Sequence, residues 1–300
     1  MKDLYGKVAF ITGGGSGVAL GQAKVFAREG VRVVIADIRE DHLESAMEYF
    51  HGTDARVHPI SLDITDREAY VAAADEAESV FGPVQLLFNT AGVSIFGPLE
   101  KSTYDDYDWQ MGVNFGGVVN GVQTFLPRMI DYGKGGHIVN TASVGAFLSA
   151  GPAGIYSASK FAVLGLSEAL RSELAKYDIG VSVLCPANVN TNIAESVWTR
   201  PAKYGNSGYR FNDEVLDSLR RIYSAGKDPV ELAEEVLKGV LENRLYIIPY
   251  PEVRQALEMH FAEVIASLPP EDSDQDGVAK REAAMKQYRR ELAELQYKAH

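Results

Sequence analysis

The sequence predicts a doubly wound α/β protein: a parallel, Rossmann-type sheet of seven strands with helices on both faces, followed by a helical C-terminal extension. Three observations carry this. Seven short apolar runs recur with helix-patterned segments between them, a Gly-rich turn directly follows the first run, and the candidate chemical residues fall just after run ends. Near-continuous apolar runs mark strands buried on both faces. Right-handed crossovers then put ligands beyond the carboxyl ends of those strands.

In order, KVAFIT is followed by a helical pattern to about Glu29, and VRVVIAD by a helix from about Glu40. ARVHPISLD precedes an Ala/Glu-rich helix that ends near Phe81-Gly82-Pro83, where glycine and proline stop it. VQLLFN leads into a long helical pattern from Tyr104 to Tyr132. HIVNTAS, the helix opened by YSASK, GVSVLCP, an irregular insert, a helix from Pro229 to Asn243 and LYIIP complete the sheet. Residues 1–268 read as one domain that includes an insert at about 192–226. The break at Pro269-Pro270 and the acidic EDSDQD set off a charged helical extension over 269–300.

Composition excludes several functions. The 300 residues are 46% apolar, enough for a large core. A net charge of −12 and a pI near 5.0 argue against nucleic-acid or anionic-membrane surfaces. No apolar run approaches the roughly 20 residues that span a bilayer. The first strand begins near Lys7, which leaves no room for a leader. The single cysteine, Cys185, lies in an apolar run and reads as a buried core thiol, so no internal disulfide forms and a cytoplasmic location is expected. The six histidines are scattered and no H-E-x-x-H occurs, so no metal site is expected.

The turn after the first strand, Thr12-Gly13-Gly14-Gly15-Ser16-Gly17-Val18-Ala19, opens a helix, where backbone N–H groups can approach a pyrophosphate. A glycine cluster alone is also an ordinary βα turn. Asp37, twenty residues after Gly17 at the end of the second strand, adds specificity. Its carboxylate can accept from adenosine ribose hydroxyls and repels a 2′-phosphate, which favours NAD over NADP, although nearby Arg39 could instead receive that phosphate. Asp63 either meets the adenine amino group or caps the next helix, as Thr65 also can. Asn114, among glycines in GVNFGG, either marks a local kink or anchors a water chain through its amide.

Between Ser143 and Lys160 the chain leaves a strand, crosses a Gly/Pro-rich turn and enters a helix. Tyr156 and Lys160 are four apart and share a helix face. Bringing a phenol from ~10 to ~7 needs roughly 4 kcal/mol. An ammonium about 4 Å away supplies about that at an effective dielectric near 20. The spacing alone is not diagnostic, because Tyr223 and Lys227 repeat it. That second copy contains Gly226, runs into Asp228-Pro229, and lacks a strand-end serine thirteen residues upstream.

TGGGSGVA, Asp37, NTAG, Asn114, Ser143, YSASK and PANVNT together closely resemble the short-chain dehydrogenase/reductase family over about residues 5 to 250. Ala19, Thr90 and Ala187 depart from its usual glycine, asparagine and glycine. The resemblance implies Tyr156 as general acid/base, with Lys160 lowering its pKa and holding the nicotinamide ribose. It implies Ser143 bonding the substrate oxygen and Asn114 completing a water-mediated relay. The implied cofactor is NAD, against Gly13, Gly15, Ser16, Gly17, Val18, Asp37, Ile38, Asp63, Ile64, Asn89, Thr90, Ala91, Gly92, Tyr156, Lys160, Pro186, Val189 and Thr191.

FGPLEKSTYDDYDW, RPAKYGNSGY and LYIIPYPEV further resemble bacterial Cα-dehydrogenases, which use NAD to oxidise the benzylic alcohol of lignin-derived β-aryl ethers. An aromatic pocket follows from that resemblance: Ser94, Ile95, Phe96, Phe147, Leu148, Asn188, Trp198 and Tyr204, with Tyr209 and Phe211 nearby. The insert is long enough to cover a substrate, and each of its aromatics either lines the pocket or packs within the lid itself. Another bulky alcohol, such as a steroid or hydroxyacyl compound, and a non-catalytic NAD-sensing protein stand as alternatives. The resemblance also favours a homo-oligomer, dimer or tetramer. A weak heptad of Val278, Met285, Leu292 and Ala299, with Tyr288 and Leu295 between, offers an interface or only a solvated helix.

Overall fold

The computed structural model describes residues 3–270 and 273–298, with side chains to Glu291. The strands are β1 (Val8–Thr12), β2 (Arg32–Asp37), β3 (Val57–Ser61), β4 (Leu86–Asn89), β5 (Gly136–Thr141), β6 (Ile179–Leu184) and β7 (Tyr246–Ile247). Helices α1 (Gly17–Arg28), α2 (Glu40–Phe50), α3 (Arg67–Phe81), α4 (Tyr104–Met111), α5 (Gly117–Tyr132), α6 (Gly154–Leu174), α7 (Asp213–Ser224) and α8 (Pro229–Leu241) connect and cover them. All pairings are parallel in the order β3-β2-β1-β4-β5-β6-β7. The seven-stranded doubly wound sheet expected from the sequence is the one observed. Strand order reverses between β1 and β4, the crevice where such sheets take ligands.

The strands are apolar because each face is covered. On one side Phe10 packs on Phe125 at 4.7 Å between ring centroids, within a core that α3, α5 and α6 share. On the other, Phe26 of α1 meets Phe88 of β4 edge-on at 4.7 Å. Such tilted pairs add about 1 kcal/mol beyond the area they bury.

The long helix read over 104–132 is divided. A π-turn, Gly112–Gly116, separates α4 from α5 and holds Asn114 fully buried. π-turns carry one residue beyond the α-helical repeat and concentrate at functional sites. The cap of α3 is neither Asp63 nor Thr65. Asp66 accepts from the backbone N–H of Glu68 and Ala69, while Asp63 accepts from Thr65.

The chain divides into two compact units, Met1–Val253 and Arg254–His300. The first contains the whole sheet and the insert. The second contains α9 (Arg254–Ala266) and α10 (Gln275–Lys298). Val278, Met285 and Tyr288 are exposed on α10; Ala299 and the side chains of Leu292 and Leu295 lie outside the described residues. No described helix is long and apolar enough to cross a membrane.

Candidate active site

The Gly-rich turn presents an open helix end. Gly13 and Gly17 have positive φ of 73° and 51°. A Cβ on Gly13 would stand 2.9 Å from Ala91 Cα, and one on Gly17 3.0 Å from Thr191 Cγ2, so only glycine fits. Ser16 precedes α1 without capping it, since its hydroxyl donates to Asn192 Oδ1 at 3.2 Å. The first N–H groups of α1 thus lack a side-chain cap, as an anion site requires. Thr12, which sequence reasoning passed over, braces this turn. Its hydroxyl oxygen accepts from the N–H of Thr90 and Ala91 at 3.0 and 3.1 Å.

The cleft at the crevice is lined by Gly13, Ser16, Gly17, Val18, Asp37, Ile38, Asp63, Ile64, Thr90, Ala91, Gly92 and Thr191. Asp37 accepts from the N–H of Gly15 and of Arg39, both at 3.0 Å, which aims its carboxylate at the turn. The Arg39 guanidinium is turned to Asp41, at 2.8 and 2.5 Å. A dinucleotide fits these residues: a close-approach turn, an uncapped helix end and a carboxylate one strand away.

Asn89 does not line this cleft. Expected to line the cofactor, it is instead buried, donating to Asn140 Oδ1 at 2.8 Å and accepting from the Tyr70 hydroxyl at 3.5 Å. Its amide belongs to the core between β4 and β5. Pro186 also faces inward; its carbonyl accepts from the Val144 N–H and the Ser143 hydroxyl at 2.9 and 3.2 Å. Val189 is buried and pairs with Lys227 as an isolated parallel bridge.

Ser143, Tyr156, Lys160 and Asn114 converge, and the side chains of Ser143, Lys160 and Asn114 are tied to backbone. Lys160 Nζ donates to the Thr141 carbonyl at 2.9 Å. Ser143 Oγ also accepts from Gly145 N–H at 3.1 Å. Asn114 Oδ1 accepts from Val93 N–H at 2.8 Å, and its Nδ2 donates to the Val93 carbonyl at 2.9 Å and Ser159 Oγ at 3.0 Å. Both amide donors are therefore engaged, and the side chain pins the segment at Val93, four residues beyond β4. Gly92 joins this group to the cleft: a Cβ there would lie 3.2 Å from Asn114 Oδ1 and 3.5 Å from Lys160 Nζ.

The Tyr156–Lys160 pair is not a direct contact. Lys160 Nζ lies 5.6 Å from the Tyr156 ring centroid and is directed to Thr141. Burial pushes the Tyr156 phenol above its ordinary value, and a hydrogen bond with Ser143 only partly offsets this. Burial also lowers Lys160 to about 8 and raises Cys185 to about 12, the inert thiol expected. Desolvation is the largest cause of each of these shifts.

The second Tyr/Lys pair separates as expected, with one addition. α7 ends at Ser224, and Lys227 continues into the bridge with Val189. Tyr223, however, is half-buried close enough to Tyr156 to feel it, and burial with that neighbour raises it to about 12. Only a fold that returns the insert over the strand ends could reveal this.

Around Tyr156, Phe96 lies 6.1 Å away between centroids, and Phe147 meets Tyr246 at 6.4 Å. Leu148 is half-buried, Asn188 is exposed, and Ser94 and Ile95 are buried. The aromatics of the insert divide. Tyr204 lines the cleft, whereas Tyr209 and Phe211 pack within a small core with Ile95, Trp109 and Ile155. Trp198, expected at the pocket, is corrected: it is 56% exposed, with Arg220 over its ring at 5.0 Å. No described cluster of His, Cys, Asp or Glu can hold a metal.

The short chain dehydrogenase family description matches residues 7–202. A protein named C alpha-dehydrogenase from Sphingobium sp. (strain NBRC 103272 / SYK-6) is 54% identical over 286 residues, 95% of this chain and 94% of its own. The apo crystal structure of LigO from Sphingobium sp. strain SYK-6 aligns with a TM-score of 0.78 at 50% identity, covering 97% of this chain and 98% of that one. A short chain dehydrogenase/reductase from Burkholderia phymatum in complex with NAD aligns with a TM-score of 0.85 at 35% identity, covering 91% and 99%. The chain belongs to the short-chain dehydrogenase family.

Proposed function

We propose, from this family membership, that the protein is an NAD-dependent dehydrogenase that oxidises the benzylic (Cα) secondary alcohol of lignin-derived β-aryl ether dimers to the ketone. The observation that carries the substrate class is the 54% identity to C alpha-dehydrogenase across 95% of this chain, insert included. The observation that carries the chemistry is the convergence of Ser143, Tyr156 and Lys160 beside a dinucleotide-shaped cleft.

The chemistry that NAD would supply when bound is a hydride acceptor for the benzylic carbon; the protein's own residues bind, orient and manage the proton. Gly13, Gly15, Ser16, Gly17 and Val18 would hold the pyrophosphate. Asp37 would take the ribose hydroxyls, with Ile38, Asp63, Ile64, Thr90 and Ala91 around the adenosine, and Val189 and Thr191 toward the nicotinamide. Ser143 Oγ orients the substrate hydroxyl at Tyr156, whose phenolic oxygen receives the proton. The raised phenol disfavours the phenolate this needs; protonated Lys160, 5.6 Å from the Tyr156 ring centroid, would supply positive charge that favours it. Ser94, Ile95, Phe96, Phe147, Leu148 and Tyr204 would border the aryl rings.

Residues 1–253 act as the catalytic unit, with the insert at about 192–226 as its lid. The small-molecule aromatic substrate is taken up by a homo-oligomer, dimer or tetramer, in the cytoplasm, a location supported by the single buried cysteine. Light scattering of the full chain and of a chain cut before Glu271 tests whether the extension contributes to assembly. The activity is tested by mixing enzyme and NAD with guaiacylglycerol guaiacyl ether: NADH and ketone form together. No turnover of either enantiomer, alongside oxidation of a steroid alcohol, would move the substrate class.

A further inference from the structure

The insert could be a loose flap or a built wall, and one buried ion pair distinguishes these. Asp106, in the first turn of α4, is fully buried, and the Arg200 side chain is 7% exposed. Arg200 Nη1 donates to Asp106 Oδ1 at 2.8 Å, Nε to the Gly205 carbonyl at 3.0 Å, and Nη2 to the Tyr204 carbonyl at 2.8 Å. Asp106 Oδ2 accepts from the Thr103 N–H and hydroxyl at 2.9 and 3.1 Å, and from the Gly208 N–H at 3.1 Å. Burial alone would raise the Asp106 carboxyl, but the hydrogen bonds from Thr103, Ser207 and Gly208 outweigh it and hold the group below its ordinary value. The guanidinium carbon lies 5.3 Å from the Trp109 ring centroid. Both charges are thus satisfied, the condition under which a buried pair holds a geometry.

The two ends of this clasp have different jobs. Asp106 sits on the helix that runs into the π-turn with Asn114, and Trp109 and Val113 of that segment line the cleft. Arg200 sits in the insert, where Thr199, Pro201, Lys203 and Tyr204 line the same cleft. The Tyr204 hydroxyl lies 3.7 Å from where a Cβ on Gly112 would be, directly beside the π-turn.

We propose that Asp106 and Arg200 are positioning residues for the substrate: their buried pair clasps insert residues 199–208 to α4, so that Tyr204, which packs with Ile95 and Ile155 next to Tyr156, forms a fixed wall against which the second aryl ring packs. Neither residue touches the reacting atoms. The clasp makes the wall part of the same rigid body as Asn114, before any ligand binds. This rests on reading the cleft as the dehydrogenase site, and it deepens that reading by assigning selectivity for bulk to one ion pair.

The test has two readouts on Arg200→Ala and Arg200→Lys. The first is kcat/KM for the β-aryl ether dimer against 1-phenylethanol, which lacks the second ring. The dimer-to-small selectivity of Arg200→Ala should fall by about tenfold or more, mostly through KM, the scale that lost pocket contacts produce. Arg200→Lys, which keeps the charge but not the fork to two carbonyls, should recover part of it. The second is limited chymotrypsin cleavage after Tyr204, which needs no substrate; it should accelerate about tenfold in Arg200→Ala and less in Arg200→Lys. An unchanged cleavage rate overturns the clasp. Accelerated cleavage with equal losses on both alcohols overturns the positioning role. If the wild-type enzyme oxidises no dimer, the substrate reading fails, while the cleavage experiment still decides the clasp. If Arg200→Ala does not fold, the Arg200→Lys values alone must lie between wild type and full loss.

Discussion

The strand-end machinery and the insert that covers it are built in opposite ways. Ser143, Lys160 and Asn114 are each fixed to main chain on a neighbouring element: Pro186, Thr141 and Val93. Thr141 ends β5, and Pro186 and Val93 follow the ends of β6 and β4, so the reacting geometry follows from the fold. The insert has no sheet beneath it. Its first half is held by one fully satisfied ion pair and a small aromatic core, and its last turn returns through a two-residue bridge at Val189 and Lys227. Chemistry is therefore anchored by regular structure, and substrate choice by a few side chains that can change without disturbing it.

Substitutions on the two sides should differ accordingly. Tyr156→Phe removes the proton acceptor and should lower turnover about a thousandfold, within the range of general acid–base catalysis, while calorimetry shows NAD binding within about twofold of wild type. A fully active variant would refute the proton role. Asp37→Ser should shift the NAD-to-NADP ratio of kcat/KM by roughly tenfold to a hundredfold toward NADP, since a like charge against the 2′-phosphate costs several kcal/mol. Arg39 is held by Asp41, so removing Asp37 alone should leave NADP binding incomplete, and Asp37→Ser with Asp41→Ser should take it further. An unchanged ratio would place the cofactor elsewhere.

The sheet side also carries a pH signature that the insert lacks. His137 of β5 is fully buried, with Nε2 2.8 Å from Ser182 Oγ and Nδ1 without a partner, and burial lowers it to about 3 from 6.5. The unfolded chain binds a proton that the folded one refuses, so stability is complete above pH 6.5 and is lost on the way down to about pH 3. At pH 5 the loss is about 2 kcal/mol, 1.5 units at 1.36 kcal/mol each. The Tm difference between pH 7 and pH 5 should therefore shrink in His137→Asn. The smallest effect is on the insert's outer surface. Trp198→Ala removes an exposed ring stacked on Arg220 and should change KM for the dimer by less than about twofold. A larger change would bring Trp198 into the pocket.

The contrast also explains what could be read without the structure. The seven parallel strands, the open turn at Gly13–Gly17, the aim of Asp37 and the separation of Tyr156 from its false twin at Tyr223 follow from local patterns and strand-end rules. The π-turn follows only in part: the glycines around Asn114 mark a local kink, but one extra residue in 104–132 leaves the apolar period of both halves intact. Asn89 misleads because its strand-end position matches a cofactor-lining one, while its amide turns to Asn140 across the β4–β5 ladder. The Tyr156–Lys160 spacing gives proximity but not desolvation, which decides the direction of the shift. Asp106 and Arg200 are 94 residues apart, and nothing in either neighbourhood marks them as partners.

The central claim is that hydride leaves the benzylic carbon of a β-aryl ether for NAD at the strand ends. The most direct measurement is mass spectrometry of the nucleotide after turnover of a dimer deuterated at Cα. The account predicts one deuterium in the reduced nucleotide for each ketone formed. Ketone without that transfer, or transfer to NADP in preference to NAD, would contradict it.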